Sequence, residues 1–245
     1  MLSWLKTHPF PVEAHFEHSL VLTFAVPRAE LAARLPAPLV PDSFDDEWGF
    51  IAVALVQTRQ LRPQGFPGWL GQDFFLLGYR AFVRYTSAAG KRLRGLYILR
   101  SETDQRRMTA LGNLFTHYRY HTVDIQQQLL PNHARRIASR RGNFHVELAA
   151  PAAEVPLPAH SPFRTWAEAR RFAGPLPFTF SVDEQRVLIV EGVREHWQPQ
   201  PVAVASYHVG FFEQLGFSQL RLANAFAVRD IPYSWKKGRT EQWQH

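Results

Sequence analysis

Short apolar runs along the chain alternate with proline, glycine and charged punctuation, and most of them carry the two-residue period of strands. Pro11 to Phe16 leads into a first strand, His18 to Val26, whose apolar residues run together as in a barrel wall. Trp48 to Thr58 predicts a second strand, because Phe50, Ile51, Val53, Leu55 and Val56 favour β structure and Asp45-Asp46-Glu47 makes a polar turn before them. Phe74 to Tyr85 and Gly95 to Arg100 read as the next two. Val123 to Leu129, Ala134 to Ser139 and Asn143 to Ala149 form a meander broken at Pro131-Asn132 and Arg141-Gly142, and Phe178 to Val182 pairs with Arg186 to Val193 as a hairpin. Leu220 to Arg229 alternates like a closing strand, and the polar tail Lys236 to His245 reads as frayed. Helical signals are few. Pro27 opens a short helix through Leu35, Gly210 to Leu215 makes at most a turn, and Thr165 with Glu168 is a capping box for a helix to Phe172. The pattern is mainly β (α+β), with a few short helices.

One stretch departs from this monotony. In Ser101 to His121, Met108, Leu111 and Phe115 recur at helical spacing, and Gly112 lies inside their stripe. A glycine there costs about 1 kcal/mol relative to alanine, which calls for close packing against a neighbour. Past the helix come His117, Tyr118, Arg119, Tyr120 and His121, five consecutive side chains that can exchange hydrogen bonds. The stretch is expected to wall the molecule's only pocket; an aromatic-rich strand start with ordinary wet polar groups is the plainer reading. The loop Gln60 to Gly71 carries Phe66, Trp69 and Leu70, and so can fold over a cavity mouth.

Alternation divides the strand Phe74 to Tyr85 into two faces, Leu76, Gly78, Arg80, Phe82 and Arg84 on one, Leu77, Tyr79, Ala81, Val83 and Tyr85 on the other. A buried arginine keeps its charge and needs an anion, either an internal carboxylate or a ligand. Arg80 is therefore the leading ligand contact, unless an internal acid pairs with it.

Composition narrows the field. The 245 residues contain no long polar tract, so a single domain over 1–245 is the simplest count. Hydrophobic residues at 46% indicate a folded chain, and the absence of cysteine removes disulfides, thiolate ligands and cysteine nucleophiles. No apolar run approaches a membrane span and the opening residues are too polar for a secretory leader, so a cytoplasmic location without membrane contact is expected. The formal charge of +7 comes mostly from arginine, with lysine only at positions 6, 91, 236 and 237. The arginine doublets are scattered, and only Asn132 to His145 gathers them, so no specific nucleic-acid partner is expected.

Gly95 to His121, Leu31 to Val40 (LAARLPAPLV), the strand holding Arg80 and Phe82-Val83, and Arg194 to Ser206 (REHWQPQPVAVAS) together resemble the acetoacetate decarboxylase superfamily. They are most similar to its branch known as domain of unknown function 2071, or YqjF-like. The resemblance implies a closed antiparallel β-barrel of acetoacetate decarboxylase type around a small-molecule cavity, with peripheral helices and no cofactor, and it leaves a homo-oligomer open. Such decarboxylases use a lysine of lowered pKa to form a Schiff base with a ketone. The alignment puts Tyr120 and His121 at the paired lysines, Leu76 at a pocket carboxylate and Glu17 at a pocket arginine, so the Schiff-base mechanism is not expected to survive. The implied set is Tyr120, Glu17, His117 and His121 for acid-base work, with Arg80, Tyr118, Leu76 and Gly78 around the ligand, which is a small organic acid or ketone. A lyase or proton-transfer enzyme and a non-catalytic binding protein both fit.

A histidine-based metal enzyme is the remaining alternative. His117 with His121, and His15 with Glu17 and His18, are compact sets, but the first straddles a helix end and alternation splits the second. No metal is assigned to either.

Overall fold

In the computed structural model, residues 6–131, 134–174 and 176–243 are described. The chain begins β1 (Val12–Pro27), α1 (Arg28–Ala32), β2 (Val40–Pro41), β3 (Trp48–Pro63), β4 (Gln72–Thr86) and β5 (Arg92–Thr103). Next come α2 (Arg106–Phe115), β6 (Tyr120–Thr122), β7 (Ile125–Leu129), β8 (Arg135–Ser139), β9 (Phe144–Leu148) and α3 (Trp166–Phe172). The last part holds β10 (Phe178–Asp183), β11 (Arg186–Arg194), β12 (Gln200–Pro201), β13 (Val204–Val209), α4 (Gly210–Leu215), β14 (Arg221–Trp235) and β15 (Arg239–Gln242).

The large sheet runs β14-β1-β3-β4-β5-β10-β11, and β11 returns to β14, so its strands follow a ring. Neighbours are antiparallel except where β5 meets β10 and β6, which corrects the expectation of an antiparallel ring throughout. The cause is the long crossover of residues 104–177, the kind of connection that parallel neighbours require. Within that crossover β7, β8 and β9 pair into a second sheet, completed by β13.

The two faces of the ring pack differently. On the outer face Leu20, Leu22, Val53, Leu55, Leu77 and Val83 form one core with Ile137, Phe144 and Val146 of the second sheet. Each such fully buried side chain contributes roughly 1.5–3 kcal/mol. On the inner face, one end is filled by α3. Its N-cap Thr165 accepts from the Glu168 N–H at 3.1 Å, and Phe172 and Phe163 pack on the Phe50 ring at 5.0 and 5.3 Å. Towards the other end the inner side chains line open space.

Two strands differ from the sequence expectation at the chain's end. The tail expected to fray instead forms β15, paired with β11 from Arg186↔Gln242 to Ile189↔Arg239, while residues 244 and 245 lie outside the described part. β14 continues six residues past Arg229, keeping β1 company as far as Val12. The break expected at Asn132 also falls outside the described residues.

Candidate functional site

Inner side chains of β1, β3, β4 and β14 enclose a cavity of about 400 Å³, and Met108, Gly112 and Phe115 of α2 cover it. Leu70 and Leu111 are its exposed lining residues and mark where it opens to solvent. It is not the only hollow: three others of about 260, 270 and 150 Å³ occur among the described residues. The hollow of 260 Å³ lies beside α3, where its arginines Arg170 and Arg171 stand in water.

Tyr120 is fixed in the cavity wall by α2. The Asn113 amide donates to the Tyr120 carbonyl at 2.9 Å and accepts from the Tyr120 N–H at 2.8 Å. Gly112 lies against the Tyr120 ring, and an added Cβ would overlap it, which accounts for a glycine within the helical stripe. Burial pushes the Tyr120 phenol up to about 12, with Arg80 opposing, so at neutral pH it is a hydrogen-bond donor. Tyr118 beside it, with ring centroids 6.5 Å apart, is raised further by burial. Its hydroxyl has no hydrogen bond of normal geometry, although the Thr179 side chain is near enough to favour the ionised form.

Arg80 lies deep in the molecule, and the surface it keeps is cavity wall. Burial lowers its pKa, and the groups that oppose this are the phenols of Tyr233, Tyr120 and Tyr118 rather than a carboxylate. Among the described residues no acid pairs with Arg80, and the lining contains neither aspartate nor glutamate. Gly78 is not part of the lining; its missing side chain leaves room for the Arg80 guanidinium, whose Nε would stand 3.2 Å from an added Cβ. A second lining arginine, Arg194, lies over the Trp197 ring at 4.8 Å and near Tyr233 at 5.7 Å. Burial lowers its pKa, and Arg80 lowers it further.

Of the eight residues singled out in the sequence, Leu76, Arg80, Tyr118 and Tyr120 share this cavity, and the other four do not line it. Glu17 is on the outside, because β1 slips register between Phe16 and His18; its carboxylate accepts from Arg59 Nε at 2.6 Å. His121 alternates away from Tyr120 in β6 and is exposed. His117, just past the helix end, lines two smaller hollows, and burial lowers its pKa. Arg194, Tyr233, Trp235 and Asn113 were missed. Ile231, Tyr233 and Trp235 continue a two-residue alternation past Arg229, a signal that the sequence did contain. Among the described residues no three histidine, aspartate or glutamate side chains gather as a metal site, so the metal alternative has no donor set there.

A second buried ionic group occupies the opposite face of the same strands. Glu102 of β5 is fully buried with Arg100 Nη2 2.8 Å from its Oε1, and burial still raises its carboxyl pKa. Tyr79 stands beside it, its own pKa raised by burial and then by Glu102.

This architecture is that of the acetoacetate decarboxylase-like proteins. The structure of acetoacetate decarboxylase from Legionella pneumophila subsp. pneumophila str. Philadelphia 1 matches with a TM-score of 0.64 at 10% identity, over 95% of this chain and 88% of that one. An acetoacetate decarboxylase-like enzyme from Sphingomonas wittichii RW1 matches at 0.58 and 13% identity, over 98% and 94%. The enduracididine biosynthesis enzyme MppR, complexed with the condensation product of pyruvate and imidazole 4-carboxaldehyde, matches at 0.61 and 12% identity, over 95% and 89%. None of the curated proteins matches the sequence. Residues 13–234 match the model of domain of unknown function 2071, described as uncharacterised conserved proteins, and the chain belongs to that family. Among the described residues no helix is long and apolar enough to cross a membrane.

Proposed function

We propose that the ring acts as a closed barrel whose cavity binds a small organic acid or ketone through Arg80, without a Schiff-base lysine. The observation that carries this is the unpaired guanidinium: a cation kept deep in the molecule with no acid beside it among the described residues is supplied with an anion by its ligand. The aligned lysine positions hold a phenol and an exposed histidine, and no lysine lines the cavity. An imine step therefore has no amine to start from. Isothermal titration with pyruvate as the probe tests the reading. Arg80→Gln is expected to weaken binding at least a hundredfold while the circular dichroism spectrum stays unchanged; equal affinity in the variant removes Arg80 from the site. Borohydride trapping with pyruvate should leave no covalent adduct, and an adduct at any lysine overturns the mechanistic half of the proposal.

The placement of Tyr120 favours a catalytic version over simple binding. A neutral phenol beside a guanidinium, on a residue whose backbone the Asn113 side chain holds with two hydrogen bonds, can donate to an oxyanion that develops on a bound carbonyl. This supports enolisation or lyase chemistry in which Arg80 holds the acid group, Tyr120 stabilises the enolate oxygen, and the neutral imidazole of His8, which also lines the cavity, takes the methyl proton and exchanges it with solvent. Proton exchange at the methyl group of pyruvate, followed by nuclear magnetic resonance in deuterium oxide, is expected with the wild type and lost in Tyr120→Phe. Binding without exchange leaves the non-catalytic alternative standing.

A further inference from the structure

The cavity is too large and too aromatic for an acid the size of pyruvate. Its volume of about 400 Å³ equals that of roughly 13 waters in the liquid, and pyruvate has about half that many non-hydrogen atoms. An acid of that size gripped by Arg80 would leave much of the apolar wall against trapped water. The wall that would stay uncovered is made of rings. Tyr233 stacks on Phe16 at 4.7 Å and packs on Trp235 at 4.5 Å, and Phe10 meets Phe115 edge-on at 5.5 Å. All five line the cavity, as does the Trp197 ring under Arg194.

Charge inside the cavity points the same way. Arg80 and Arg194 both line it and repel each other, and no carboxylate of the described residues pairs with either. Arg194 finds partial compensation over the rings of Trp197 and Tyr233, contacts that leave its N–H groups without a hydrogen-bond acceptor among the described residues. Two cations without an internal acid hold a carboxylate better than one does, and they exclude neutral compounds of the same shape.

We infer that the ligand is an aryl-bearing organic acid, its carboxylate shared between Arg80 and Arg194 and its ring packed among Phe16, Tyr233, Trp235 and Phe115. This rests on reading the cavity as an organic-acid site and goes further by naming the body of the acid and its second cation. Phenylpyruvate, pyruvate and the neutral phenylacetone are suitable probes, each titrated calorimetrically into the wild type, Arg80→Gln and Arg194→Gln. Thermal unfolding of every variant with and without probe serves as a check on folding. Phenylpyruvate should bind the wild type at least tenfold more tightly than either pyruvate or phenylacetone, raise its melting temperature, and lose at least tenfold in each variant. If pyruvate binds as tightly as phenylpyruvate and still depends on Arg80, the aromatic assignment is overturned and the organic-acid reading survives. Full affinity in Arg194→Gln removes the second cation. If phenylpyruvate and pyruvate both fail to bind the wild type at millimolar concentration, or bind Arg80→Gln equally well, the inference and the reading beneath it both fall.

Discussion

Tyr79 and Arg80 are neighbours in the chain and leave β4 in opposite directions. Tyr79 enters the outer layer beneath the second sheet, where Glu102 is buried with Arg100 2.8 Å away. Arg80 enters the cavity, where phenols and no carboxylate surround it. Both faces bury an ionic group, and among the described residues only the outer one is supplied with a counter-ion. A charge paired internally serves the fold; a charge left unpaired at the wall of a hollow serves whatever enters it. The difference separates structure from site more sharply than burial does.

The largest expected effect comes from removing the outer partner. Arg100→Met leaves Glu102 buried without its cation and should cost roughly 3–5 kcal/mol in urea unfolding. Arg80→Met, made in parallel, should cost nothing or raise stability, because the cation it removes has no acid among the described residues to orphan. Equal losses in the two variants would erase the distinction between the faces. Gly112→Ala tests the inner wall next. The added methyl group meets a ring whose backbone Asn113 holds from both sides, so a loss of about 1–3 kcal/mol is expected, together with weaker ligand binding. Unchanged stability would show that Tyr120 can yield.

The third effect, absent near neutral pH, concerns acid pH on the outer face. Burial, with Arg135 and Arg229 adding to it and Glu17 opposing, lowers the His18 pKa from 6.5 to about 4. Between those values the unfolded chain binds a proton that the folded chain refuses, so His18 lowers stability as pH falls through this window and has no further effect below it. His18→Gln should flatten the plot of melting temperature against pH between 6.5 and 4. A variant with the wild-type slope would show that other groups control the acid limb.

Much of this was legible in the sequence wherever one strand could be read alone. Alternation along Phe74 to Tyr85 separated Arg80 from Tyr79, and the Gly112 anomaly called for close packing, although the Tyr120 ring as the partner came only with the structure. Glu17 was misplaced because a register slip in β1 depends on what β3 does beside it, which the local pattern does not carry. Tyr233 was legible in the alternation past Arg229 and was overlooked, but Arg194 escaped for a related reason: β11 and β14 meet over three residues at the ring's return, and that pairing joins parts of the chain far apart in sequence. The parallel contact of β5 with β10 is equally silent, since a strand's composition does not name its neighbour.

Those two short pairings have a dynamic consequence. β1 is zipped to β3 and β14 along nearly its whole length, whereas the β10-β11 hairpin is joined to β5 by three residues on one side and to β14 by three on the other. The hairpin is thus a loosely nailed stave in an otherwise tight hoop, and its amide hydrogens should be the first of the hoop to take up deuterium. Thr179 and Arg194 sit on its two strands and face the hollow, so an occupant that grips Arg194 also nails the stave down.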